Sequence, residues 1–169
     1  LSANESESDW RCKMLYDELV HIKPATYAPE PGIAESWTID GLTFTFKIRD
    51  NATFSDGSDL TADDVAFSLA WQLWPEVYSW GKTYMENVVG YDEVIAGDTK
   101  ELSGVKVIDP YTVEVTLKTP QAVFPAILSM TMNGISPKQE VLDAGEAWGK
   151  SVVIGTGPFK FVQWDPGQQ

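Results

Sequence analysis

The chain has 169 residues, 43% of them apolar and 12% aromatic, with 12 Lys+Arg against 25 Asp+Glu and a formal net charge of −13. That composition excludes wholesale disorder, and the length fits one domain or slightly more. So acidic a chain, with no Lys/Arg stripe, excludes nucleic acid as a partner, and the single Cys12 excludes an internal disulfide or a CxxC metal motif.

Residues 10–22 read as a helix, because Trp10, Met14, Leu15, Leu19 and Ile22 recur at three- and four-residue steps behind Asp9. Pro24, Pro29 and Pro31 make residues 23–32 an extended connector. Residues 35–49 read as a β-hairpin: Trp37 and Ile39 alternate with polar neighbours, Asp40-Gly41 turns, and Phe44, Phe46 and Ile48 return. Phe54 begins a short strand that ends at Asp56-Gly57. Thr61-Ala62-Asp63-Asp64 resembles a capping box opening a helix that runs to about Trp74, where Pro75 stops it. The polar stripe of that helix is one narrow line, Asp64, Ser68 and Gln72. The rest is apolar, so the helix is expected to pack on more than one side.

Residues 75–103 are the least regular part, with a helix expected near 82–96. Two strands follow, over Val105–Asp109 and Val113–Leu117, joined at Asp109-Pro110. Helices are expected over 121–129 and 138–146. Gly155-Thr156-Gly157-Pro158 is then a tight loop, and residues 159–164 a closing strand. Strands that pair through short turns favour an antiparallel α+β arrangement over repeated βαβ units. No apolar run approaches the ~18 residues of a membrane span. The first nine residues lack the head and apolar stretch of a signal peptide, and the chain is expected to be an excised piece of a longer one.

Catalytic patterns are weak. Cys12 and His21, nine residues apart on the expected helix, would lie near opposite faces, and there is no GxSxG elbow. One His and one Cys make a transition-metal site hard to build. Asp56-Gly57-Ser58-Asp59 copies part of a calcium loop without its later ligands. The 155–158 loop lacks the Lys-Ser/Thr of a phosphate loop and leads into a strand. Neither a metal nor a cofactor is expected. Trp37, Phe44, Phe46, Phe67, Trp71 and Trp74 sit at core periods. Trp80 and Tyr84 lie in irregular, polar sequence, where a ring serves packing or a pocket rim.

Several segments together carry a known pattern: Leu15-Tyr16-Asp17-Glu18-Leu19-Val20, Pro31-Gly32-Ile33-Ala34-Glu35-Ser36-Trp37 and Phe54-Ser55-Asp56-Gly57. After them come Leu60 to Ser68, Asp109 to Val113, Gly155 to Phe159 and Trp164-Asp165-Pro166-Gly167. In this order they resemble the family 5 extracellular solute-binding proteins, the oligopeptide, dipeptide and nickel receptors of ABC importers. The resemblance implies part of a two-lobed periplasmic-binding-protein-like fold (type II) that closes on its ligand, with the second lobe absent. Within it, residues 1–35 would flank the main lobe, 36–154 form an inserted subdomain of the first lobe, and 155–169 return toward the main lobe.

The implied function is non-enzymatic: capture of an extracellular oligopeptide or dipeptide and delivery to an ABC permease of the membrane. The protein would be extracytoplasmic, in the periplasm or as a cell-surface lipoprotein. A sugar or nickel-chelate ligand is the alternative within the family, and an acidic-residue hydrolase the one outside it. By position, the resemblance places ligand contacts at Asn4, Ser6 and Glu7, before the first helix, and at Trp80 and Tyr84. The chain alone, with half of a clamshell's contacts, is expected to bind ligand weakly or not at all.

Overall fold

A computed structural model describes residues 6–163, with side chains from residue 10 onward. Helix α1 spans Ser6–Leu15, not 10–22. Trp10 and Met14 are exposed, so the spacing that suggested a core-facing stripe does not mark one. The chain leaves the helix at Tyr16 because its carbonyls are claimed from elsewhere: the amide of Ile135 donates to Asp17 O at 3.0 Å, and that of Ile33 to Glu18 O at 3.0 Å. Val20–Ile22 then forms β1, antiparallel to β2 (Pro29–Pro31), with His21 opposite Glu30. The expected connector thus contains a strand, which the prolines of β2 permit because it lies at a sheet edge.

The hairpin forms as expected, from β3 (Ala34–Asp40) and β4 (Thr43–Ile48), with Gly41 at a positive φ of 59° in the turn. Four strands pair in the order β3-β4-β6-β5, where β5 is Val105–Asp109 and β6 is Thr112–Thr116. Every ladder in both sheets is antiparallel; among the described residues a parallel pairing occurs only as an isolated bridge between Trp148 and Val152. Phe44 lies opposite Val115 and Phe46 opposite Val113. All four are buried, as alternation requires of a sheet with one covered face. Phe44 also meets Phe124 at 5.2 Å between ring centroids. Full burial of a side chain such as Phe46 is worth about 1.5–3 kcal/mol.

Helix α2 (Ala62–Trp71) packs against β5 and β6. Its start is fixed by Asp64, whose Oδ2 accepts the Thr61 amide at 3.0 Å and the Thr61 hydroxyl at 2.8 Å. The three residues of its polar line all engage the segment 133–138. Asp64 Oδ1 accepts the Lys138 amide at 2.9 Å, Ser68 bonds the backbone of Ser136, and Gln72 Nε2 donates to Asn133 Oδ1 at 2.8 Å. Ser68 and Gln72 are buried. The helix is therefore enclosed on its polar as well as its apolar sides.

The region expected as one helix near 82–96 is a 3₁₀ turn, Lys82–Met85, and a separate helix α3, Tyr91–Ala96, begun at Gly90 with φ 90°. Two short helices follow, α4 (Phe124–Ile127) and α5 (Lys138–Ala144). Phe54 lies in a loop closed by an isolated bridge between Thr53 and Asp59. Residues 155–158 form the expected tight loop, while residues 159–163 form no strand and Trp164 lies outside the described residues. The return segment instead docks on the end of α1: Gly157 N donates to Leu15 O at 2.9 Å and Phe159 N to Met14 O at 3.0 Å. A Cβ on Gly155 would stand 1.9 Å from Leu15 O, so only glycine permits this approach.

Candidate functional site

The aromatic segment after α2 is built outward from the core. Phe67 stacks on Trp71 and meets Trp74 edge-on, at 6.0 and 5.8 Å between centroids. The Trp74 indole N–H donates to the carbonyl of Lys100 at 2.9 Å, and the Lys100 ammonium lies 3.8 Å from the Trp74 ring centroid. Lys100 also reaches Glu76 at 2.7 Å, and that hydrogen bond draws the Glu76 carboxyl below its ordinary range. Lys82 donates to the Trp74 carbonyl at 2.7 Å; its pKa is lowered, chiefly by burial.

Trp80 and Tyr84 stand on this base. Their rings are 6.0 Å apart at 89°, an edge-to-face pair. Such a pair is worth about 0.5–1.5 kcal/mol beyond area, which biases both rings toward this relative orientation. The backbone beneath them is pinned on both sides. Gly81 lies against Met132, whose Cε would be 2.2 Å from an added Cβ, and Met85 is fully buried. Further on, Val88 bridges to Leu117. Yet Trp80 remains 46% exposed and Tyr84 42%. A large flat surface on a packed backbone but left open to water suits contact with a side chain, a proline ring or a sugar face.

Of the five candidate residues, the fold brings Trp80 and Tyr84 together. Asn4 lies outside the described residues. Ser6 and Glu7 contribute backbone to the first turn of α1 rather than to a loop before it. Tyr78, exposed in the same segment, is a third aromatic on this stretch. His21 is displaced from its expected helix to β1, where its Nε2 contacts Asp17 Oδ1. Because α1 ends at Leu15, this contact is not a helical pair of the kind their four-residue spacing would suggest.

Comparison with known proteins covers nearly the whole chain. Residues 28–169 match the model of the bacterial extracellular solute-binding proteins, family 5 Middle. The chain is 33% identical to the periplasmic oligopeptide-binding protein OppA of Escherichia coli strain K12 over 141 residues, 80% of this chain and 26% of that one. It is 35% identical to the dipeptide-binding protein of the same organism over 167 residues, 89% of this chain and 30% of that one. The solved OppA of Burkholderia pseudomallei superposes on 96% of this chain and 33% of its own, with a TM-score of 0.86 and 29% identity. The chain thus spans about a quarter to a third of the length of these relatives.

Proposed function

The chain belongs to the family 5 bacterial extracellular solute-binding proteins, and from that membership we propose that it is the substrate-binding part of a peptide importer. In this reading it is one segment of an extracytoplasmic receptor that captures an oligopeptide or dipeptide without altering it and delivers it to an ABC permease. The observation that carries the reading is the ordered match, at 33–35% identity over most of this chain, to receptors whose names specify oligopeptide and dipeptide. The exposed pair Trp80–Tyr84 supports it, because a receptor that must accept varied side chains gains from broad aromatic area rather than from shape-specific pockets.

In the proposed organisation, residues 1–35 flank the main lobe, 36–154 form a subdomain of the first lobe, and 155–169 return toward the main lobe. The docking of 155–159 on the end of α1 is consistent with that return. Asn4, Ser6 and Glu7 are proposed to offer oxygens to a peptide amine or backbone amide, and Trp80 and Tyr84 to pack a side chain.

Isothermal titration of the protein carrying both lobes, against dipeptides, a nonapeptide, a free amino acid, a disaccharide and a nickel chelate, tests this. Peptide binding at micromolar affinity or tighter is the expected result, with little or none for the present chain alone. Binding of the disaccharide or the chelate in place of peptides would overturn the peptide assignment. Turnover of any of these ligands would overturn the non-enzymatic one.

A further inference from the structure

The junction of α1 and β1 gathers groups that peptide capture does not use. Asp17, Glu18 and His21 each offer one ligand atom, and the three atoms lie within 4.8 Å of one another. Donors at the corners of a zinc tetrahedron, each about 2.0–2.2 Å from the metal, stand about 3.3–3.6 Å apart. Rotations of the part-exposed Asp17 and His21 side chains that move their donor atoms by about an ångström would close the set. We propose that Asp17, Glu18 and His21 form a site for a single Zn²⁺ ion, separate from the aromatic surface.

Three features distinguish this cluster from surface acidity. One donor is an imidazole nitrogen, and mixed nitrogen and carboxylate donors select a borderline dication over the oxygen-seeking Mg²⁺ or Ca²⁺. A second donor belongs to Glu18, which is 4% exposed. Its carboxylate accepts from Lys13 Nζ at 3.3 Å and lies in the same cluster as the other two donors.

The third feature is a rigid frame. The Asp17 amide donates to Thr156 Oγ1 at 2.8 Å, and the carbonyls of Asp17 and Glu18 accept the amides of Ile135 and Ile33, each at 3.0 Å. A Cβ on Gly32 would meet Glu18 O at 2.5 Å, so the β2–β3 link presses directly on this backbone. The donors open into a groove of about 580 Å³ that also receives Glu30, the cross-strand partner of His21. The groove gives the ion a way in and room for water in the remaining positions.

Zn²⁺ needs a neutral imidazole, so any proton on His21 beyond its single N–H leaves when the ion binds, and affinity falls as pH is lowered. The test uses the untagged full chain. ZnCl₂ is titrated calorimetrically near neutral pH in two buffers of different ionisation enthalpy, with MgCl₂ in parallel. The expected result is one Zn²⁺ per chain with proton release and no saturable Mg²⁺ binding. His21→Gln and Asp17→Asn should each weaken Zn²⁺ by about tenfold or more, and Glu93→Gln, an exposed carboxyl on α3, should leave it unchanged.

Zinc-edge X-ray absorption on the unmodified chain gives a second reading that no folding defect can confuse. His21 is the only histidine, so imidazole scattering assigns it directly. An oxygen-only shell, equal binding by His21→Gln, saturable Mg²⁺ binding, or no saturable Zn²⁺ binding would each overturn the site. None of these outcomes bears on peptide capture, which uses other residues.

Discussion

Ser68 and Ser136 exchange two hydrogen bonds across the interior: the Ser136 amide donates to Ser68 Oγ at 2.9 Å, and the Ser68 hydroxyl donates to the Ser136 carbonyl at 3.2 Å. One small side chain on α2 thereby satisfies both backbone groups of a buried residue whose own hydroxyl has no partner among the described residues. The two serines should therefore respond oppositely to truncation. Ser68→Ala strands a buried donor and acceptor and should cost about 1–3 kcal/mol in denaturant unfolding. Ser136→Ala removes only the unpartnered hydroxyl and should stay within about 0.5 kcal/mol of the parent, or gain slightly. Equal losses would refute this reading of the contact.

The return loop makes a similar prediction from shape. Beta carbons on Gly155 and Gly157 would meet carbonyls of α1, at 1.9 Å from Leu15 O and 2.5 Å from Met14 O. Backbone cannot yield as a side-chain tip can. Gly155→Ala and Gly157→Ala should each cost about 2–3 kcal/mol, at the upper end of overpacking penalties. Gly57→Ala is the control: nothing lies near that position and only its φ of 96° is strained, so its cost should be about 1 kcal/mol. Urea midpoints of the three variants would order them.

The contrast between α2 and α1 explains what the sequence made legible. Thr61, Asp64 and Pro75 act within a few residues of where they stand, so the start of α2 and its approximate end could be read directly. The β3–β4 and β5–β6 hairpins were equally local, set by alternation and by turn residues. Residues 16–22 were not, because carbonyls of Asp17 and Glu18 are bonded by Ile135 and Ile33, from parts of the chain no window includes. The stripe Asp64, Ser68, Gln72 was visible as polar, but its partners at 133–138 exist only in the fold. At the candidate site, the irregularity of 75–84 pointed to Trp80 and Tyr84. Their edge-to-face geometry, and the meeting of Asp17 with His21, needed coordinates.

The aromatic pair should separate stability from binding. Trp80 and Tyr84 are each more than 40% exposed, so a large share of their area contributes nothing to the core. Trp80→Ala should lower stability by about 1–3 kcal/mol, the lost edge-to-face contact together with the covered half of the ring. In the two-lobed protein the same change should weaken peptide binding by about tenfold, as loss of an aromatic anchor does. Tyr84→Phe keeps the ring and should leave stability and affinity for apolar peptides near the parent values. A Trp80→Ala protein that binds peptides normally would remove the pair from the ligand surface.

The Asp17–His21 contact also sets how stability follows pH in the metal-free chain. The His21 pKa is raised, first by its hydrogen bond with Asp17, against a smaller lowering from burial. Lys13, Glu18 and Glu30 are the other charged groups around it. A raised histidine pKa means that the folded state holds its proton more tightly, so this stabilisation is complete below about 6.5 and is lost as pH rises through the folded value. Glu18, raised chiefly by burial, acts in the same direction from its ordinary value of 4.5 upward. Asp56, Glu76 and Asp109 are lowered, and their contribution disappears only as pH falls below the ordinary carboxylate range. Stability should therefore peak near pH 5–6 and decline toward pH 8, with chelator present to exclude metal. His21→Gln should flatten the upper part of that decline and leave the acid limb unchanged. Unfolding midpoints that are equal at pH 5.5 and 8, or higher at 8, would show that the Asp17–His21 contact carries no net stabilisation.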